Sequence, residues 1–180
     1  MSGRARRRTD GTSRTDLPSR ARFAVLAARF NEPISGKLVD GALAAFTAHG
    51  VGADAVEVHW VPGSFELPLA ARALADTGRY AALVCVGVVI RGGTPHFEHV
   101  SREAATGIRE VGLSAGIPVT FGLITALTEE QAWDRAGGSV GNRGEEAAEA
   151  AIEMVGWLRR VRGGRARPSG RARRNRGRAR

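Results

Sequence analysis

A short apolar run, Ala81 to Val86, stops at Gly87, and a helical pattern starts near Pro95. Between them lies a glycine-rich turn with one arginine and one threonine, and His96 and His99 follow it. Strand, glycine turn and helix start, in that order, point unpaired backbone N–H groups at one spot with the helix dipole behind them. Such a spot suits a phosphate. A histidine one turn into the same helix can move protons beside it. The segment implies an enzyme acting on a small phosphorylated molecule.

The same alternation runs from Arg22 to about Arg160. Strands are predicted at Phe23–Ala28, Ala55–Val61, Ala81–Val86 and Ile117–Leu123. Helices are predicted at Leu38–Ala48, Glu66–Leu74, Pro95–Leu113, Thr128–Arg135 and Glu145–Arg160. Thr128 is the expected N-cap of the fourth helix, with Gln131 at its third position. The segment Gly137–Gly141 breaks the periodicity before the last helix. Strands alternating with helices predict an α/β domain, a three-layer αβα sandwich around a mainly parallel four-stranded sheet. Ligands of such sheets gather outside the carboxyl ends of the strands. Phe30-Asn31-Glu32, Gly63-Ser64-Phe65-Glu66 and the glycine turn with His96 all fall on that one edge.

Charge separates the domain from its ends. Residues 1–20 carry six arginines and two aspartates, and residues 161–180 carry nine arginines and no acid. These two segments supply +13 of charge against a formal total of +9, which leaves −4 over residues 21–160. Lys37 is the single lysine. The ends are rich in Arg, Gly, Ser and Pro and offer little to bury, so 1–20 and 162–180 are expected to be disordered tails around a domain at 21–161. A solvated, passive extension and an arm that binds RNA or an acidic guest both fit that composition. No apolar run approaches the roughly 18 residues of a membrane span, and no apolar signal region follows the N-terminus. One cysteine, Cys85, falls in a predicted buried strand and reads as a small apolar filler in a cytoplasmic protein.

Single residues carry sharper readings. Gly92, Gly93 and the Thr94 hydroxyl at a helix mouth favour anion binding over a plain tight connection, but the pattern is neither a P-loop nor a GxGxxG. His96, His99 and Glu103 share a helix face, yet no third strong ligand completes a metal site. His96, nearest the turn, is the acid–base candidate; His99 reads as a packing or surface residue. His49 reads as a helix C-terminal charge and His59 as a strand residue. Phe30 can stack on a flat ring at a pocket mouth, and Glu66 can accept hydrogen bonds from a polyol. Arg135 and Arg143 become phosphate partners only if the fold, or a neighbouring subunit, brings them to the turn.

Taken together, Ala28-Arg29-Phe30-Asn31-Glu32, Trp60 to Pro68, Val89 to Glu98, Pro118 to Gly122, Asp134 to Gly137 and Gly141 to Glu145 resemble the lumazine synthase family, in order and with its spacing, over residues 22–160. The resemblance implies a flavodoxin-like fold and condensation of 5-amino-6-(D-ribitylamino)uracil with 3,4-dihydroxy-2-butanone 4-phosphate, with no metal or organic cofactor. It implies that Phe30 stacks on the pyrimidine, that Ser64 and Glu66 hold the ribityl hydroxyls, and that the backbone at Val89 and Ile90 meets the uracil edge. Asn31, Phe65 and Val88 complete that substrate set. Gly93 and Thr94 would bind the phosphate with Arg135 and Arg143, and His96 would shuttle protons. Phe121 and Arg135 would reach the site from an adjacent subunit. The family forms pentamers, and its short-loop members, which the Gly137–Gly144 loop resembles, form icosahedral 60-mers able to hold riboflavin synthase or anionic cargo. Two positions depart from the family: arginine at 143 and serine at 139, where lysine is frequent. A catalytically weak shell that uses its arginine tails to hold anionic cargo is the alternative function. A flavodoxin-like flavin binder is disfavoured, because no Ser/Thr-rich phosphate loop follows the first strand.

Overall fold

The computed structural model describes residues 17–18 and 20–163; the expectations about the two arginine-rich tails lie outside the described residues. Four strands, β1 (Phe23–Ala28), β2 (Val56–Val61), β3 (Ala82–Ile90) and β4 (Val119–Ala126), pair in parallel in the order β2-β1-β3-β4. Helices α1 (Glu32–Ala48) and α5 (Arg143–Gly163) cover one face, and α2 (Leu67–Asp76) and α3 (His96–Ala115) the other. A short α4 (Glu129–Asp134) and a two-stranded antiparallel hairpin, β5 (Ala136–Gly138) with β6 (Gly141–Asn142), join β4 to α5. This is the expected single-domain αβα sandwich, with a wholly parallel main sheet.

The central strands are apolar on both sides, as burial on two faces requires. Phe23, Val25 and Ala27 of β1 join α1 and α5 in one core, while Ala24, Leu26 and Ala28 join α2 and α3 in the other. Phe23 packs on Phe46 of α1 with ring centroids 4.7 Å apart. Each such fully buried side chain contributes about 1.5–3 kcal/mol. Cys85 is buried among these groups, and burial pushes its thiol up to about 12, so it is an inert filler. No helix among the described residues is long and apolar enough to cross a membrane.

Element ends shift by up to six residues from the sequence expectation, and three differences bear on the site. β3 runs to Ile90, so Gly87 lies inside the strand rather than in the turn. A methyl group added at Gly87 would sit 2.8 Å from both Ala28 Cβ and Leu123 Cδ1, so this glycine serves close packing. α1 begins at Glu32, six residues before the predicted start, because Asn31 turns the chain directly into it. The Gly137–Gly141 break is a hairpin rather than a plain loop. Thr128 caps α4 as expected: its side chain accepts from the Gln131 amide at 3.3 Å, and Gln131 Oε1 accepts from the Leu127 amide at 3.0 Å. His49 closes α1, its Nδ1 2.9 Å from the Ala45 carbonyl oxygen.

Candidate active site

Strand order puts β1 next to β3, and their following loops leave toward opposite faces, β1 into α1 and β3 into α3. The crevice at such a switch point is where α/β sheets bind ligands. Phe30 and Asn31 follow β1, Val88, Val89 and Ile90 end β3, and Gly93, Thr94 and His96 follow β3, so all lie at the carboxyl ends of these two strands.

The first loop is fixed by backbone hydrogen bonds. The Arg29 amide donates to the Val61 carbonyl at 2.8 Å and the Phe30 amide to the Pro62 carbonyl at 3.1 Å, which continues the β1–β2 pairing beyond the strands. Asn31 then takes φ 61°, the only positive φ outside glycine among the described residues. Asparagine tolerates this conformation better than most residues. Its side-chain amide donates to the Val88 carbonyl at 3.4 Å, drawing the loop across β3. Phe30 is left with no core to enter, and it is 71% exposed.

The second loop, after β2, lies beside the first. Ser64 to Glu66 form one 3-10 turn that runs straight into α2. Ser64 is buried, its Oγ only 3.1 Å from where a methyl on Gly87 would stand. Glu66 folds back until its Oε2 is 3.0 Å from the corresponding position on Gly63. Phe65 points outward and is exposed. A hydroxyl, a carboxylate and two exposed aromatic rings therefore share this edge, a combination suited to a flat ring bearing a polyol.

The third loop starts where the Arg91 amide donates to the Ala126 carbonyl at 2.9 Å. Methyl groups added at Gly92 or Gly93 would meet no atom within 4 Å, and neither residue has positive φ. Neither packing nor backbone conformation thus calls for glycine at these positions. α3 begins after Pro95 with no side-chain cap, and the first amides to bond back are those of Glu98 and His99, to Pro95. The amides of His96 and Phe97 stand at the open helix end, where an anion is favoured by the dipole. His96, the first residue of the helix, and His99 are both exposed.

Phe121, Arg135 and Arg143 are not brought to this crevice within one chain. Phe121 pairs in register with Cys85, five residues before the Ile90–Ala126 pair, which is about 16 Å short of the carboxyl edge. It is exposed on the outer edge of the sheet and shares a cavity of about 490 Å³ with Leu123, Arg143 and Glu146. The hairpin that follows α4 packs against α1, on the face opposite α3. Arg135 donates to the Gln131 carbonyl at 2.9 Å, and Arg143 pairs with Glu146.

Asn142 was not singled out from the sequence, yet it holds this second group in place. Its Oδ1 accepts from the amides of Gly144 at 2.8 Å and Glu145 at 3.2 Å, and its Nδ2 donates to the Lys37 carbonyl at 2.8 Å. An asparagine followed three residues later by the first of two glutamates is an N-cap signal in the sequence. Among the described residues the largest carboxylate perturbation lies elsewhere, near the amino end of the sheet. There Tyr80 and Arg22 hydrogen-bond Glu57, with His59 adding a weaker contact, and hold its carboxyl down to about 2.

The family model described as 6,7-dimethyl-8-ribityllumazine synthase matches residues 20–159, a span that takes in all four strands, the three loops of the crevice, the hairpin and most of α5. The chain belongs to the 6,7-dimethyl-8-ribityllumazine synthase family.

Proposed function

We propose that the protein condenses 5-amino-6-(D-ribitylamino)uracil with 3,4-dihydroxy-2-butanone 4-phosphate to give 6,7-dimethyl-8-ribityllumazine, inorganic phosphate and water. Family membership supports a transferase-type enzyme of riboflavin biosynthesis. The observation that carries the specific reading is the unfilled space over Gly92 and Gly93 beside the uncapped start of α3. A phosphate there receives backbone N–H groups while the Thr94 hydroxyl adds a donor.

The chemistry needs few groups. The 5-amino nitrogen adds to the butanone carbonyl and water leaves, giving an imine. Loss of a proton from the adjacent carbon expels phosphate. The enol that results becomes a ketone, and the ribitylamino nitrogen closes the ring on it with loss of a second water. Each step moves a proton, and His96 beside the phosphate turn is the group placed to carry it. Phe30 stacks on the pyrimidine, Ser64 and Glu66 hold the ribityl chain, Asn31 and Phe65 frame it, and the backbone of Val88, Val89 and Ile90 meets the uracil edge. Because the amine and ketone are reactive by themselves, positioning supplies much of the acceleration. No metal or organic cofactor is required by these steps.

Arg135 and Arg143 are joined at the base of the hairpin, away from the three crevice loops, and Arg143 lines the outer-edge cavity with Phe121. A neighbouring copy that sets its Phe121 edge against the crevice completes the site, so the working unit is a homo-oligomer, a pentamer and, with the short 137–144 loop, a shell of twelve pentamers. Riboflavin synthase or an anionic guest is the corresponding cargo, and the cytoplasm the corresponding compartment. The test is turnover with both substrates, followed by lumazine absorbance and phosphate release. Equal amounts of both products, formed faster than without enzyme and slowed about 10²-fold or more by His96→Ala, are expected. Turnover at the enzyme-free rate by assembled protein would refute the reading.

A further inference from the structure

The segment that carries Arg135 is acidic. Residues 128–146 hold five acids, Glu129, Glu130, Asp134, Glu145 and Glu146, against two arginines, Arg135 and Arg143. An arginine in such company is expected to pair with a carboxylate, and Arg143 does so, with Glu146. Among the described residues Arg135 makes no such pair. Its Nη1 donates to the uncharged Gln131 carbonyl at 2.9 Å.

The acids are engaged elsewhere. Glu129 accepts from Trp133 Nε1 at 3.2 Å, and Glu130 is held by its own amide and the Thr128 hydroxyl. Glu145 and Glu146 stand in the first turn of α5, where the helix dipole favours negative charge. Asp134 is the acid next to Arg135 in the chain, and both are half-buried at the end of α4. Arg135 is the C-cap, so the regular helix that turns adjacent side chains apart goes no further.

Ser139 holds the Asp134 carboxylate instead, its Oγ donating to Asp134 Oδ1 at 3.0 Å. The hairpin delivers this hydroxyl. The Val140 amide donates to the Asp134 carbonyl at 3.0 Å, and a methyl on Gly138 would lie 2.7 Å from Asp134 Cα and 3.0 Å from the Trp133 carbonyl oxygen. The tip of the hairpin is thus folded onto the last turn of α4, with Ser139 facing the one acid that adjoins Arg135.

We propose that Ser139 is a positioning residue for phosphate recognition: by engaging Asp134 it keeps that carboxylate off Arg135 and leaves the guanidinium open to the phosphate of the substrate. This role, which rests on the reading of Arg135 as the phosphate's partner in the assembled site, belongs to a residue that touches no substrate. Giving up a neutral carbonyl costs the guanidinium little. A carboxylate in its place would be an ion pair that phosphate must break before it binds. Such competition weakens ground state and transition state alike, so it raises KM and leaves kcat alone.

The experiment is steady-state kinetics of the assembled full-length protein, varying each substrate in turn, with inorganic phosphate as a second probe through its inhibition. Ser139→Ala should raise KM for 3,4-dihydroxy-2-butanone 4-phosphate, and the inhibition constant of phosphate, about threefold to fivefold, the size of an exposed ion pair. The kcat and the KM for the ribitylaminouracil should stay unchanged. Ser139→Thr keeps the hydroxyl and should behave as wild type. Adding Asp134→Asn to Ser139→Ala removes the competing charge, and should return both constants to wild-type values although the hydrogen bond is still missing. A defect that persists in this double variant would overturn the proposal and assign the bond to hairpin closure alone. Arg135→Ala, measured alongside, separates the two claims. If it leaves both phosphate constants unchanged, the reading of Arg135 falls and the role of Ser139 with it. If it raises them while Ser139→Ala is indistinguishable from wild type, only the role of Ser139 falls.

Discussion

The backbone amide of Arg143 donates to the carbonyl of Arg135 across 2.9 Å, which fastens two arginines to the base of one small hairpin. They differ in what their guanidinium groups already hold. Arg143 is paired with the Glu146 carboxylate, whereas Arg135 reaches only a neutral carbonyl, that of Gln131. Arg135 is therefore the cheaper of the two to redirect toward a phosphate. Arg135→Ala is expected to lower kcat/KM by about 10²-fold, the value of one or two charge-assisted hydrogen bonds. Arg143→Ala should cost less than about tenfold, because its charge is largely neutralised. Steady-state kinetics in the butanone phosphate separate the two.

The proposed composite site has a direct consequence in mixed assemblies. His96→Ala and Arg135→Ala chains, each nearly inactive alone, should recover activity when unfolded together and refolded. Random assortment restores about one quarter of the interfaces to an intact pair. Activity that stays at the sum of the two single variants would place both residues in the same chain's site.

Asn142 bridges the start of α5 and α1, and the two helices approach so closely there that a methyl on Gly144 would lie 1.9 Å from the Leu38 carbonyl oxygen. Asn142→Ala should destabilise by about 1–2 kcal/mol, the loss of a cap with a second bond to Lys37. Asn142→Asp keeps the cap oxygen and loses only the donor to Lys37, so it should fall between the two in urea unfolding.

Acid should weaken the opposite edge of the sheet. The Tyr80 hydroxyl, together with Arg22, holds the Glu57 carboxyl at about 2, below its ordinary value of 4.5. A lowered folded value means stability that is fully present above about pH 4.5 and is lost as pH falls toward 2. Glu57→Gln removes this dependence. The stability gap between wild type and variant, measured by denaturant unfolding, should therefore hold constant from pH 6 down to about pH 5 and narrow from there to pH 3.

Much of this arrangement is legible in the sequence because it follows from apolar runs. β1 falls where Phe23–Ala28 predicts it, and the residues after β1, β2 and β3 reach one edge because parallel strands put all their carboxyl ends there. What is not legible depends on contacts between distant segments. Gly87 reads as a turn, yet it is a strand residue whose missing side chain makes room for Ala28, Leu123 and Ser64. The β5–β6 hairpin has strands of three and two residues, three of these five being glycine, with no alternation to detect. The role of Asn142 depends on a partner, Lys37, that lies 105 residues away. Arg135 and Phe121 carry no local mark that separates them from surface residues; only the family's motif points to them.

The most direct measurement uses Gly93→Ala. A methyl there meets nothing within 4 Å in the chain, and the backbone does not demand glycine, so thermal unfolding should shift by no more than about 0.5 kcal/mol in equivalent stability. If the space is kept for the phosphate of the substrate, KM for 3,4-dihydroxy-2-butanone 4-phosphate should rise at least about tenfold, the loss of one good phosphate contact, while KM for the ribitylaminouracil changes little. Unchanged kinetics with both substrates in the well-folded variant would contradict a phosphate site at this turn, and with it the assignment of the crevice as the place where the condensation occurs.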